Sequence, residues 1–526
     1  MKYLLRLLFI AGAGLIWTAR AQTPDDIRIY NSEGLYGTAR YIATGGSMMS
    51  LGADLSAVAD NPAGAVYFIT NRLSYSPGFY NRFTEGIYNG TKHFSSDYSL
   101  DHHILFSNQL GLVLPYFSDT EDWNKIAFGF NYQVDENYYN RFRAEGQSPD
   151  MQSLADYFVY HAQGVPLGDL TVYEDESDEM VYEWLGEQYG AYAQHAFLGY
   201  QAYVIDPVSN DPDNFEYVSN ASYSRPLHHN IRGTTGGKKS SADFFFAAEY
   251  QKKWAVGISL HATDLQFSQK RHIEEWDYDP QSTLQYVKYT TGLNTKADGL
   301  GLKIGTTYKL NDNVKLSLAY HSPVWWKISE ETTEGIHTQV KDTYDTDGDG
   351  DTDEIFEVQI YPTTVNAFEP YRMVSPAKWL VGASWVDKKH GFISVKYSIR
   401  PWQSVRVSAL SDDPASQDYF EALTEDIRQH FGTEHTLAVG GEFKVDKLML
   451  RAGYSTTKSP LKNIQLPARN RISFGLGYDF GAIDVDFGIV NGRAQDKYQI
   501  LPVGLTHDYQ LNTRTNQYVF TIKANF

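Results

Sequence analysis

The sequence predicts an all-β fold: a 14-stranded antiparallel transmembrane β-barrel, with an N-terminal hatch inside the lumen and partly helical extracellular loops. Three observations carry this. Many stretches alternate apolar residues with small or polar ones at period two, as a wall between lipid and a polar interior requires. The links between those stretches alternate between short and long. The final stretch ends on an aromatic, with Tyr518, Phe520, Ile522, Ala524 and Phe526 on one face and Val519, Thr521, Lys523 and Asn525 on the other.

Residues 1–21 are expected to be a signal peptide and are left out of the fold. Lys2 and Arg6 precede the apolar run Leu7 to Trp17, and Ala19-Arg20-Ala21 has the small-x-small form of a cleavage site. Losing Lys2, Arg6 and Arg20 takes the formal charge from −19 to −22. Such an acidic chain argues against nucleic acid as a partner. No later run reaches the roughly 20 apolar residues of a spanning helix. A mean hydropathy of −0.42 suits an alternating wall as well as a water-soluble chain. Aromatic residues make up 15%, with 39 Tyr and 28 Phe, which fits girdles at two membrane interfaces. A secreted, Tyr-rich sandwich would share that composition. There is no cysteine, which excludes disulfides, thiolate metal sites and cysteine nucleophiles.

Residues 22–70 are expected to form the hatch. The run from Gly37 to Gly64 is rich in Gly, Ala and Ser and poor in β-branched residues, a composition that packs closely in a confined lumen. Asn61-Pro62 marks a turn, because the residue before proline is pushed out of the helical region.

Residues 71–526 are expected to form the barrel. Leu300, Leu302, Ile304, Thr306 and Tyr308 alternate with Gly301, Lys303, Gly305 and Thr307. Ile472, Phe474, Leu476, Tyr478 and Phe480 turn through Gly481-Ala482 into Ile483, Val485, Phe487 and Ile489, with Ser473, Gly475, Gly477, Asp484, Asp486 and Gly488 on the other face. Continuing the pattern places strands near 72–82, 104–116, 125–140, 238–251, 253–267, 298–310, 313–327, 372–386, 390–403, 434–445, 447–459, 469–480, 482–495 and 511–526. Short links fall at 117–124, 251–253, 311–313, 387–389, 446 and 481, and long ones at 83–103, 141–237, 268–297, 328–371, 404–433, 460–468 and 496–510. A sandwich has no reason to sort links by parity; an outer-membrane barrel does, with tight periplasmic turns and large external loops. Within 141–237, Met151 to Gln163 reads as a short helix and Glu179 to Tyr203 as a longer one. Together they are expected to form a cap over the barrel mouth, with a separate small domain as the alternative.

The hatch run resembles the start of the long-chain fatty-acid transporter family of outer membranes (FadL/TodX), in its Bacteroidetes form. The matching residues are Arg40, Gly45, Gly46, Leu51, Gly52, Asp54, Ala57, Asn61, Pro62, Ala63 and Gly64. The loops 141–237 and 328–371 lie outside the likeness and look longer than in that family. The resemblance implies a monomeric barrel in the outer membrane of a Gram-negative bacterium, plugged by its hatch and surrounded by outer-membrane lipid. It implies passive uptake of a hydrophobic small molecule, with hatch rearrangement and lateral release through a gap made by a kinked strand. Arg40, Gly45, Gly46, Asp54, Asn61, Pro62 and Ala63 would be the hatch residues concerned, with Asn61-Pro62-Ala63 near the periplasmic end either touching ligand or only anchoring the plug. Gly129, in the third strand, is a candidate for the kink.

The acidic run Asp345 to Glu354 offers Asp345, Asp347, Asp349, Asp351 and Asp353 as oxygen ligands at alternate positions, with Gly350 for a sharp turn. Phe356 stands where a calcium loop needs its twelfth-position carboxylate, so this is no EF-hand. The alternatives are a structural Ca²⁺ in an external hairpin or a solvated acidic loop; no other cofactor is expected. The pairs His102-His103 and His228-His229 lack a third ligand at useful spacing, and adjacent side chains on a strand point apart. Trp325-Trp326 reads as interfacial girdle. No arrangement suggests an enzyme. Two rivals to transport remain at this stage: a PorV-like docking subunit of a secretion machine, and a porin for polar solutes.

Overall fold

The structure, a computed structural model, describes residues 23–100, 108–118, 122–341 and 355–526. The expected signal peptide, His102-His103 and the acidic run Asp345 to Glu354 lie outside the described residues. Fourteen strands form the wall. They are β1 (Arg72–Ser76 and Gly78–Tyr88), β2 (Thr91–Leu100 and Gln109–Phe117), β3 (Trp123–Asn137 and Asn140–Gln147), β4 (His228–Tyr250), β5 (Trp254–Trp276), β6 (Leu284–Lys309) and β7 (Val314–His321 and Trp325–Lys341). The second half holds β8 (Tyr371–Val374 and Lys378–Asp387), β9 (Gly391–Pro401 and Arg406–Ala409), β10 (Thr433–Val445), β11 (Leu448–Lys458), β12 (Arg469–Asp479), β13 (Ile483–Gln499) and β14 (Asp508–Asn525). Every pairing is antiparallel, and the sheet closes where β14 runs along β1, from Arg72 opposite Asn525 to Ile87 opposite Gln510.

Lipid-facing residues alternate with lumen-facing ones as expected. Val256, Ile258 and Leu260 on β5 and Leu300, Leu302 and Ile304 on β6 are exposed on the outer surface, whereas Lys303 and Thr307 are buried inside. The tight-turn end carries aromatic pairs such as Trp123–Tyr250 and Trp254–Tyr308.

The wall is taller than the alternation of apolar residues suggests. The expected long link 83–103 is, over its described residues 83–100, instead two strands joined at Asn89-Gly90, both with positive φ, the backbone a two-residue hairpin demands. Residues 268–297 are mostly the continuous β5–β6 hairpin, and β7 continues to Lys341. β5 has 23 residues, which at about 3.4 Å each span roughly 75 Å, against an apolar band about 25 Å tall. These upper halves pair polar residues on both faces, so they show no lipid-type alternation and read as loops.

The link after β9 contains an α-helix that the strand pattern hid (Pro414–His430). Asp413 caps it, Pro414 opens it, and Phe420, Leu423 and Ile427 form its buried stripe. The cap after β3 holds helices at Leu154–Ala162, Leu167–Leu170, Asp178–Gln188 and Ala191–Gln201. The single longer helix expected over 179–203 is two, broken at Gly190, whose φ of 88° a helix cannot accommodate. The cap is no separate domain: Phe158, Phe197 and Leu198 share one buried cluster with Ile231, Ile273 and Tyr289 of the wall.

Inside the barrel lie three short hatch helices, α1 (Pro24–Asn31), α2 (Ala39–Ala43) and α3 (Leu55–Asp60), followed by a 3₁₀ stretch, Pro62–Tyr67. Thr23 and Asp26 form a capping box on α1, and Asp54 caps α3 by accepting from the Ser56 and Ala57 amides. In chain order the α-helices outside the hatch, among the described residues, are α4 (Leu154–Ala162), α5 (Leu167–Leu170), α6 (Asp178–Gln188), α7 (Ala191–Gln201) and α8 (Pro414–His430).

Candidate transport path

The hatch is held against the wall by two devices, close backbone approach and buried ion pairs. Gly45 and Gly46 both have positive φ, 65° and 75°, so glycine is required there. Gly45 also lies against the wall glycine Gly453, where a Cβ would stand 2.2 Å from the Gly45 amide nitrogen. A Cβ on Gly257 would meet the Ala63 nitrogen at 2.4 Å, and one on Gly305 would meet the Asn61 carboxamide at 1.9 Å. The wall has thus given up side chains where the hatch touches it.

Arg40 donates two bonds to Glu442, at 2.9 and 3.0 Å. Glu442 also takes Arg451, which reaches Asp486 at 2.6 Å, and Asp486 binds Lys523 at 2.5 Å. Asp54 is an internal brace, accepting from the Thr38 hydroxyl at 2.8 Å while capping α3. Asn61 donates to Thr307 Oγ1 at 3.0 Å and accepts from the Ala63 amide. Pro62 and Ala63 begin the 3₁₀ stretch, beside the periplasmic ends of β5 and β6. Asp60, which the sequence did not single out, binds Lys396 and Tyr41, each at 2.6 Å. Each polar residue of the expected set is therefore engaged within the hatch or with the wall. Low-dielectric pairs of this kind are costly to break one partner at a time.

Above this floor is a cavity of about 860 Å³. Its floor includes Asp25, Arg28, Ile29 and Tyr36, and its roof includes Tyr157 and His195 of the cap. Tyr138, Phe267, Leu293 and Tyr509 give it apolar surface, and Leu423 and Phe431 come from the α8 region. Arg28 is neutralised by Asp496 at 2.7 Å and stacks on Tyr498, and Arg469 reaches the same carboxylate at 3.1 Å. Arg471, directly below Arg469 on the inner face of β12, has no ion-pair partner among the described residues. In the roof, His195 binds Glu334 at 2.9 Å and its ring lies 4.7 Å from that of His161. Burial and the neighbouring His195 push His161 down to about 3, so its imidazole is neutral at ordinary pH.

Beside the cavity the ladder of the described residues is interrupted. β2 and β3 pair regularly from Phe117 opposite Lys125 to Gln109 opposite Gln133. β3 then bulges between Val134 and Glu136, breaks at Tyr138-Tyr139, and resumes paired to β4. Among the described residues, no ladder joins β3 to β2 beyond Val134. The outer part of β3 lies against the inner face of β1 instead, where Thr84 meets Asn140 and Gly86 leaves room for the Arg143 carbonyl. Arg82 secures the break by donating to the carbonyls of Asn137 and Tyr139. The hatch touches the same point: the Gly34 amide donates to the Asp135 carbonyl at 2.8 Å, and the Tyr36 hydroxyl to Glu136 at 3.1 Å. Gly129 is not the kink. It sits in unbroken ladder between Val113 and Phe245, and its missing side chain makes room for the Leu112 carbonyl.

The closed barrel of fourteen antiparallel strands has known counterparts. The profile of the outer membrane protein transport protein family (OMPP1/FadL/TodX) matches residues 246–526. The chain belongs to the FadL/TodX family. It is an outer-membrane protein, and its relatives are channels for hydrophobic molecules. Among solved structures it resembles a Pseudomonas aeruginosa FadL homologue, at 11% identity and a TM-score of 0.51 over 94% of this chain and 99% of that one. It also resembles the Pseudomonas putida toluene transporter TodX, at 14% identity and a TM-score of 0.50 over 94% and 99%. At such identities the likeness is one of fold. No curated protein sequence matches the chain.

Other residues singled out from the sequence take structural places. His229 is buried between the Tyr88 hydroxyl, at 2.9 Å, and Glu275, at 2.6 Å, while His228 packs on Trp276 and points away. Trp325 faces outward, but Trp326 is a correction to the girdle reading: it is 6% exposed and faces inward against Gly299. The helical stretch Glu179 to Tyr203 is mainly cap core through Val181, Tyr182, Leu185 and Phe197, with Trp184 exposed. The broken strand left little trace in the sequence; a run of polar residues, Gln133, Asp135, Glu136 and Asn137, is the one signal on β3 that marks where it leaves the wall.

Proposed function

We propose that this protein is a passive uptake channel for amphipathic hydrophobic molecules bearing a small anionic group, of the long-chain fatty-acid kind, which leave the lumen sideways at the break in β3. The observation that carries the reading is the interruption of the wall at 134–139, beside the cavity and touched by the hatch segment Gly34 to Tyr36. A molecule entering under the cap would rest with its anionic end near Arg471 and its chain along Tyr138, Phe267 and Leu293. A shift of Gly34 to Tyr36 away from β3 would then open a path into lipid and spare an apolar chain the aqueous periplasm. The rest of the hatch stays in place, held by the Arg40–Glu442 and Asp60–Lys396 pairs. That anchorage speaks against a porin for polar solutes, since the floor blocks the axial route. It speaks against a pure docking role too, because a docking subunit has no need of a gap beside a cavity. The unit is read as a monomer with no catalytic role.

Deleting Asp135 tests this. Removal of the bulged residue lets β3 run on in register with β2 and seals the wall. Uptake of radiolabelled oleate by cells relying on this protein is expected to fall more than tenfold, with surface amount and heat-modifiable mobility unchanged. Undiminished uptake by a correctly folded deletion variant would rule out the lateral route.

A further inference from the structure

We propose that the outer face of β11 to β14 carries a binding site for a phosphorylated lipid headgroup of the outer leaflet. The residues on that face fall into rows by strand register. One row is Ala452, Phe474, Ile489, Tyr518 and Phe79; two residues further out come Tyr454, Ile472, Asn491, Asn516 and Asn81. The next row out is Thr456, Asn470, Arg493, Arg514 and Phe83. The apolar band therefore ends, passes through asparagines, and is topped by two arginines.

Arg493 and Arg514 stand directly opposite each other on neighbouring strands, and both are exposed. Like charges in that relation repel. Neither has an ion-pair partner among the described residues. The nearest carboxylate on the same face, Glu85, is occupied by Asn512 at 2.7 Å and Lys92 at 3.3 Å. The row below is pinned by the hydrogen bond of Asn491 to Asn516 at 2.6 Å and tied to the arginine row by Tyr454 to Asn470 at 2.9 Å, so the arginines rise from a fixed base. Two unneutralised guanidinium groups side by side fit a phosphate, which each can fork. Their height decides the source. They lie two rows above the row of Phe474, Ile489 and Tyr518, where the phosphates of outer-leaflet lipid sit, and Tyr518 and Ile489 continue below them as a surface for its acyl chains.

The site is tested on the purified full-length protein in dodecyl maltoside, offered diphosphoryl lipid A or the same glycolipid stripped of both phosphates. Retained lipid is read by native mass spectrometry, and stability by thermal unfolding. The wild type is expected to retain the diphosphorylated form at least tenfold better than the stripped one and to unfold at higher temperature with it. R493Q/R514Q is expected to retain both alike and, without lipid, to be at least as stable as wild type, because the repelling pair is gone. The single variant R514Q, with one guanidinium left, is expected to fall between them and serves if the double variant does not fold. Equal retention of diphosphoryl lipid by variant and wild type overturns the site, as does failure of the wild type to distinguish the two glycolipids.

Discussion

Two glycines and one arginine show how individual residues set what this barrel does. Gly453 and Gly45 let the hatch backbone touch the wall. A side chain at Gly453 must displace one or the other, since its Cβ would fall 2.2 Å from a backbone nitrogen. Overpacking of this kind costs about 1–3 kcal/mol. Gly453→Val is expected to lower the melting temperature and to raise ion conductance in planar bilayers, because the plug no longer seats; unchanged conductance would show that the contact does not seal the lumen. Arg471 acts on selectivity instead. With no ion-pair partner among the described residues, it is the cavity arginine of β12 left to meet an anionic group. Arg471→Leu is expected to weaken binding of a long-chain carboxylate about tenfold, equivalent to roughly 1.4 kcal/mol, while leaving a neutral aromatic hydrocarbon unaffected in a tryptophan-fluorescence titration.

Among the elements, α8 is the simplest to perturb. Its N-cap carboxylate, Asp413, is held below the ordinary aspartate value mainly by the Ser416 amide. A lowered value means that the cap stabilises the helix fully above the ordinary pKa of about 3.9 and loses that effect as pH falls through the lower, folded value. The protection factors of the amides in 414–430, exchange rates corrected for the intrinsic effect of pH, are therefore expected to be constant from pH 8 to pH 5 and to fall only in strong acid, whereas Asp413→Ala should lower them at neutral pH. That helix also marks what a strand-based reading can and cannot see. The transmembrane halves of β10 to β14 were legible because one face meets lipid, leaving apolar residues at every second position. The upper halves of β5, β6 and β7 meet water or cap on both faces, so nothing in Thr263 to Glu275 marks them as strand. The hatch was legible as a run of small residues, and its anchoring glycines followed. The break in β3 was not, because a bulge is one extra residue in a ladder and its partner strand cannot be seen from one segment.

At the scale of the whole molecule the barrel is a tower, and the cap is part of its wall. The cap residues Phe158 and Phe197 belong to one buried cluster with Tyr289 and Ile273 of the wall. The hairpin beneath is nonetheless complete, with Gln147 opposite His228. Replacing 150–226 with a short Gly/Ser linker is therefore expected to leave a barrel that inserts and shows heat-modifiable mobility. It should lose the roof residues Tyr157 and His195, and with them most retention of ligand through detergent purification. Failure to insert would mean that the cap is needed to build the wall.

The seating of α2 against β11 to β14 also dictates an order of events. Arg40 finds Glu442, and the Ala39 amide finds Thr521, nearly 500 positions along the chain. Contacts so remote in sequence form slowly. The seating of α2 must therefore wait until the final strands arrive, and the seam between first and last strand must zip with the cork already threaded through. A chain halted before β11 would keep Glu442 but lack Gly453 and Thr521, and with them much of the berth of α2.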